Sequence, residues 1–341
     1  MRFLVFSDLP LAARLGAGLR QPRFFAGRDD EDFWKLMDRF GQGPGPIPAH
    51  LAHPTLGWVS AQIDPSTLGH AREDQLLGRR PVLLYGSSFA KCMTSADDCF
   101  EGLLQRSSRG GEMGLLNYGV RGYGIDQVYL LLRESLPRFE ASRPLVVVGV
   151  HVDEDLDRAR MRLCGWPKPR LRLEAGRLVL DEPPAPSVAA FVREHPLEPR
   201  SYAWESLRQG LLAQAWPAAA RRRDRIDPAE LELGRAALGA IVDELRSRGL
   251  DFFFVLFCSE ARLAGQGLPD VREACLLRFL QERGVPFVST ERELRKELAQ
   301  TRRTERILYG RSGPTAEHLT PYGNEVAFRA FQAGFEGEFE P

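Results

Sequence analysis

The chain has 341 residues, 43% of them hydrophobic and 27% charged, with 46 basic and 46 acidic side chains and a formal net charge of zero. That length buries one large core plus an accessory region, and balanced charge leaves no electrostatic footprint for nucleic acid or an anionic membrane surface. Four of the basic residues are lysine, an arginine bias that we read as base composition of the genome before phosphate recognition.

Residues 1–78 read as a helical and loop-rich extension whose clearest helix is 29–38, broken by the glycine and proline cluster Gly41-Gln-Gly-Pro-Gly-Pro-Ile-Pro48. Strands and helices then alternate: a strand near 81–86, a helix near 91–106, a strand near 113–118, a helix near 125–138 and an apolar strand over 144–150. Residues 153–225 interrupt this order. Within them Arg170–Leu180 alternates polar and apolar about Glu174-Ala175-Gly176, the pattern of a half-exposed hairpin, closed by prolines at 183, 184 and 186. A helix over 228–245 leads into the strand Asp251–Phe257, and a helix near 269–283 with a short strand at 286–288 completes the pattern. Five strands separated by helices mean a parallel sheet covered on both faces. Residues 79–152 and 226–341 are therefore the two parts of one α/β domain. The insertion leaves the same sheet edge as Ser88 and reads as a cap, with apolar residues such as Trp166 expected to line a pocket facing that serine.

Cys92, Cys99, Cys164, Cys258 and Cys275 are scattered without a CxxC pair, which argues against a disulfide framework and a zinc site and suits reduced thiols in a cytoplasm. Asp8 and Pro10 interrupt the apolar N-terminus before it forms a signal-like segment. No run of about 18 apolar residues is present to span a bilayer. The expectation is a cytoplasmic protein without a membrane span.

Candidate chemistry collects at strand ends, where open α/β folds bind ligands because helix N-termini and free backbone N–H groups converge there. The run Arg80-Pro-Val-Leu-Leu-Tyr-Gly-Ser-Ser-Phe-Ala90 delivers a serine to that edge, making Ser88 a candidate nucleophile. After the second strand, Asn117-Tyr-Gly-Val-Arg-Gly-Tyr-Gly124 offers glycines at 119, 122 and 124, which let the backbone approach a developing negative charge. The third strand ends in Gly149-Val-His-Val-Asp153. Near the C-terminus, Glu317-His-Leu-Thr-Pro-Tyr-Gly323 puts His318 just before a helix, within reach of a serine as general base.

In this order, Gly86-Ser-Ser-Phe89, Asn117-Tyr-Gly-Val-Arg-Gly122, Gly149-Val-His151 and His318-Leu-Thr-Pro-Tyr-Gly323 resemble the SGNH, or GDSL-type, esterase and lipase superfamily over roughly residues 80–335. The segment Lys168-Pro-Arg170 ahead of a hairpin is similar to one branch of that superfamily. The resemblance implies a flavodoxin-like three-layer α/β/α sandwich of strand order 2-1-3-4-5, preceded here by the N-terminal extension and carrying the inserted cap. It also implies Ser88 as nucleophile with Ser87 a spectator, His318 as base, and the N–H groups of Ser88 and Gly122 as oxyanion donors. The third family donor, an asparagine, falls on His151 in one register and Asp153 in another. An imidazole N–H donates whereas an ionised aspartate repels an oxyanion, so His151 is the better match.

Two departures stand out. The family's Gly-Asp-Ser is Gly86-Ser87-Ser88, and the aspartate expected two or three residues before the histidine is Ala316 or Thr315. Glu317 and Asp153 are the remaining candidates for orienting His318. The implied function is a serine esterase or deacylase acting on a small-molecule or glycan ester, without metal or organic cofactor. Acyl transfer on the same fold and a non-catalytic binding protein are the alternatives.

Overall fold

The computed structural model describes residues 22, 26, 30–41, 50–197, 231–258, 260–263, 271–304, 307–308 and 318–340. The helices are α1 (Glu31–Arg39), α2 (Ser88–Lys91), α3 (Phe100–Arg106), α4 (Ile125–Ser135), α5 (Val188–Glu194), α6 (Glu232–Ser247), α7 (Glu260–Leu263), α8 (Val271–Glu282), α9 (Glu291–Thr301) and α10 (Pro321–Glu336). The strands are β1 (His50–His53), β2 (Gly57–Ser60), β3 (Arg80–Gly86), β4 (Met113–Gly119), β5 (Leu145–His151), β6 (Arg170–Glu174), β7 (Arg177–Glu182), β8 (Asp251–Phe257) and β9 (Phe287–Ser289).

Five of these strands form one parallel sheet in the order β4-β3-β5-β8-β9. Numbered along the chain within the sheet, that order is 2-1-3-4-5, the flavodoxin-like arrangement implied by the motifs. Alternate residues of each strand serve opposite faces. Leu83, Tyr85, Val146, Val148 and Phe254 pack with Val128 and Leu131 of α4, Ile241 of α6 and Leu280 of α8. On the other face Val82, Leu84, Val147 and Val255 pack with Phe100 and Leu104 of α3, Leu294 of α9 and Phe331 of α10. Burial on both faces explains the near-continuous apolar runs of the central strands.

Three details differ from the sequence reading. The helix expected over 91–106 is broken: α2 ends at Cys92, held at φ +63°, and α3 begins only at Phe100. Across that break Cys92 and Cys99 form a disulfide, their Cα atoms 5.7 Å apart, where the sequence suggested only free thiols. The pair closes the loop between two helices, a geometry that no CxxC signature announces. The N-terminal extension also contains the antiparallel hairpin β1–β2 in addition to its helix. The hairpin foreseen around residue 175 is present as β6–β7.

The extension is held to the sheet through the end of β4. The ring of His70 lies 5.4 Å from that of Tyr118, and the Tyr118 hydroxyl donates to the Leu68 carbonyl. Burial, with the nearby charges of Arg72 and Lys91, pushes the His70 imidazole down to about 4. His70 is therefore neutral in the folded chain over a range in which the unfolded chain, with a histidine value near 6.5, takes up a proton. Stability rises with pH wherever the unfolded state binds more protons, so the contribution of His70 is complete above about pH 6.5 and is lost as pH falls toward about 4. The loss for this one group is at most about 3 kcal/mol. Urea unfolding at pH 7.0, 5.5 and 4.5 should register it, and a His70→Gln variant should have a flatter stability profile than the wild type over that window.

Candidate functional site

The carboxyl edge of the central strands carries a row of glycines. Gly86 of β3 is paired in register with Gly119 of β4 on one side and Gly149 of β5 on the other. A Cβ at Gly86 would sit 2.5 Å from the Gly149 carbonyl oxygen and 2.7 Å from the Ala90 Cβ, so α2 can turn back over the strand end only because that position lacks a side chain. Ser87 is the N-cap of α2 and Ser88 its first residue. Asn117 braces the far end of this short helix: its Nδ2 donates to the carbonyl of Ala90 (3.0 Å) and to Oε2 of Glu101 (3.1 Å), and its Oδ1 accepts from Gly119 N–H (3.0 Å).

Ser88 is 6% exposed and His151, at the end of β5, is 7% exposed. Phe89, the residue after Ser88, stacks nearly parallel on the His151 imidazole, with ring centres 4.3 Å apart and planes 6° apart. The same ring lies 5.2 Å from that of His318. The structure thus brings His151 and His318, far apart in sequence, to one phenyl ring, that of the residue after Ser88. Neither ring nitrogen of His151 has a hydrogen-bond partner among the described residues. His318 precedes the N-terminus of α10, where the Thr320 side chain accepts from Gly323 N–H (3.0 Å) and Pro321 opens the helix. The strap leading into that helix is fixed by Thr320 N–H donating to the Ile307 carbonyl (2.8 Å) and by the bridge between Leu308 and Leu319.

Gly122 lies in the loop after β4 at φ +82°, a conformation that favours glycine. A Cβ there would lie 3.4 Å from the Trp58 ring and 3.7 Å from the Cys164 carbonyl oxygen. The loop is pinned by Trp58 Nε1–H donating to the Arg121 carbonyl (3.0 Å) and by the Tyr123 hydroxyl donating to the Trp58 carbonyl. Hairpin β1–β2 and the start of the insertion therefore both border the Gly122 loop. The insertion is anchored at Lys168, whose ammonium is fully buried against the Asp126 carboxylate of α4 (3.2 Å) and donates to the Arg158 carbonyl.

Asp155 is the residue that the motif reading passed over. It is 1% exposed. Its Oδ2 accepts from His151 N–H (2.8 Å), Arg158 Nη1 lies 3.3 Å from its Oδ1, and its carboxyl also accepts from the Ser87 hydroxyl. Its own carbonyl accepts from Ile125 N–H (2.9 Å) at the start of α4. Burial pushes its carboxyl above the ordinary range, opposed by Arg158 and by the His151 amide. One side chain with its backbone thus ties together the ends of β3, β4 and β5. Ser87 is accordingly a structural partner of Asp155.

The other named candidates separate. Asp153 is partly exposed, and its charge acts on Glu273, whose carboxyl burial pushes up. Thr315, Ala316 and Glu317 lie outside the described residues. Trp166 is partly buried, edge-on to His50 and packed against the core that includes Trp58. Among the described residues there is no group of three or more His, Cys, Asp or Glu able to hold a metal ion, and no helix is long and apolar enough to cross a membrane.

No family model matches the chain, and no curated protein matches it. Among solved structures it is similar to the lipase/acylhydrolase from Enterococcus faecalis, with 14% identity over 77% of this chain and 98% of that one and a TM-score of 0.39. It is also similar to the acetyl xylan esterase AlAXEase, with 11% identity over 74% and 98% of the two chains and a TM-score of 0.42. The acetylxylan esterase Axe2 from Geobacillus stearothermophilus has 15% identity over 76% and 95% and a TM-score of 0.40.

If Asp155 holds the edge together, removing its carboxylate leaves the His151 amide buried without its partner and the Arg158 guanidinium with Glu154 as its remaining carboxylate. Asp155→Ala should lower unfolding stability by about 3 kcal/mol, as expected for breaking a buried charged network. Ser87→Ala, which removes one hydrogen bond to that carboxylate, should cost about 1–2 kcal/mol. Urea titration at pH 7 measures both, and equal, near-zero effects would remove Asp155 from this role.

Proposed function

We propose that the protein is a serine ester hydrolase acting on an O-acyl substrate, with Ser88 as nucleophile and His318 as general base. The observation that carries this reading is the packing of Phe89 against both His151 and His318 at the end of β3, beside Ser88. Ser88 Oγ attacks the ester carbonyl while its proton passes to the His318 imidazole. The carbonyl oxygen gains negative charge and accepts from Ser88 N–H, Gly122 N–H and an imidazole N–H of His151, whose ring nitrogens have no other partner among the described residues. The imidazolium then protonates the departing alkoxide, leaving an acyl-serine. Water, deprotonated by His318, attacks that acyl group, and collapse of the second tetrahedral species returns Ser88 and the carboxylic acid.

Two features bear on rate and acceptor. The sequence has no aspartate at 315 or 316, and in serine hydrolases loss of the orienting acid costs about four orders of magnitude. A serine–histidine pair with an oxyanion hole still exceeds the water reaction by about three orders of magnitude, so slow turnover is the expectation. The burial of Ser88 and His151 also favours acyl transfer to a bound alcohol, since a drier site disfavours water as acceptor.

The test is hydrolysis of p-nitrophenyl acetate by wild type, Ser88→Ala, Thr315→Asp and Ala316→Asp at matched concentrations. Wild type should turn over slowly, Ser88→Ala should fall to background, and one of the aspartate variants should exceed wild type at least tenfold. Running the assay with added alcohols and measuring acetylated product separates transfer from hydrolysis. Indistinguishable rates for wild type and Ser88→Ala, with neither aspartate variant above them, contradict the esterase reading and favour the binding-protein alternative.

A further inference from the structure

A cavity that the ester chemistry does not use opens between the N-terminal extension and the break that separates α2 from α3. Its volume is about 210 Å³. The polar residues Gln62, Lys91 and Glu101 line it, and Met93 with the Cys92–Cys99 disulfide gives it a softer, less polar surface. At about 30 Å³ for each water, that space holds a molecule of about seven non-hydrogen atoms.

Lys91 and Glu101 are the informative pair. Lys91 ends α2, and Glu101 is the second residue of α3. They bring opposite charges to one cavity, yet among the described residues no ion pair joins them. Lys91 Nζ instead donates to Ser60 Oγ (2.9 Å), and Glu101 Oε2 accepts from Asn117 Nδ2 (3.1 Å). An ammonium has three donors and a carboxylate about four acceptor positions, so both keep capacity for a bound molecule. Burial pushes the Lys91 ammonium down, opposed by the charge of Glu101. Burial likewise pushes the Glu101 carboxyl up, opposed by the Asn117 amide and by the charges of Arg72 and Lys91. A bound anion relieves Lys91 but repels Glu101, and a bound cation does the reverse. A compact zwitterion relieves both.

We propose that this cavity binds a small zwitterion, an α-amino acid with a short apolar side chain. Its carboxylate accepts from the Lys91 ammonium, its ammonium donates to the Glu101 carboxylate, and its side chain lies against Met93 and the disulfide. The Gln62 amide, which both donates and accepts, serves either polar end. Lys91 and Ser88 are the two ends of α2, so an occupant bears on the helix that carries the candidate nucleophile. The site itself needs no chemistry at Ser88 and stands whether or not the protein hydrolyses esters.

Valine and two analogues that each lack one of its charges test it: 3-methylbutanoate, without the ammonium, and 2-methylpropylamine, without the carboxylate. Each is titrated calorimetrically at pH 7 into the full-length wild-type protein, without reductant so that the disulfide stays intact. Valine should bind at least about tenfold more tightly than either analogue, the scale of one charge-assisted contact. Lys91→Met, which keeps a long side chain and removes the ammonium, should erase the advantage of valine over 2-methylpropylamine. Glu101→Gln, which keeps the shape and removes the charge, should erase its advantage over 3-methylbutanoate. Each variant should retain the other advantage, a crossed pattern that a general loss of structure does not produce. Should one variant misfold, the other supplies its half of the pattern. Undetectable binding of valine, equal affinity for the three molecules, or advantages that survive both substitutions overturn the site.

Discussion

A carboxylate buried at the end of β5 is costly by several kcal/mol unless charge and hydrogen bonds compensate it, and the way Asp155 is compensated organises the whole carboxyl edge. Its partners are the hydroxyl of Ser87 just ahead of α2, the amide of His151 and the guanidinium of Arg158, while its carbonyl receives the first amide of α4. These partners come from the segments that end or follow β3, β4 and β5. The penalty of leaving any of them unmatched is what fixes the loops after β3, β4 and β5 relative to one another, and so the positions of Ser88, Gly122 and His151.

Close approach does the rest. The glycines at the ends of β3, β4 and β5 stand in register, and the absence of side chains there lets α2 fold back so that Phe89 reaches both imidazoles. The disulfide between Cys92 and Cys99 and the Asn117 amide hold the other end of α2. Outside this frame the N-terminal hairpin and the insertion meet around Trp58, Cys164 and Trp166, which gives the Gly122 side of the edge an aromatic wall. The Lys168–Asp126 pair fixes the insertion to α4 beneath it.

The parts of this arrangement legible in sequence are those that leave a periodic or punctuating signal. Central strands buried on both faces appear as apolar runs, and their Gly86, Gly119 and Gly149 ends punctuate them, so the sheet and the strand-end positions of Ser88 and His151 could be read directly. Asp155 could not, because it stands in the acidic stretch Asp153-Glu154-Asp155 and only tertiary burial distinguishes it from its neighbours. Strands β1 and β2 are four residues each, too short to establish a period of two, and this hid the hairpin that brings Trp58 to the Gly122 loop. The break after α2 was hidden for a similar reason, since a left-handed residue and a disulfide at spacing seven are consequences of the loop's fold.

The central claim is that Ser88, alone among the serines, is activated at this edge. Incubation of the intact protein with a serine-directed fluorophosphonate, followed by peptide mapping by mass spectrometry, tests it most directly. The account predicts a single adduct on Ser88 that is absent from Ser88→Ala and strongly slowed in His318→Ala. An adduct on Ser87, or labelling that persists unchanged in Ser88→Ala, would contradict it.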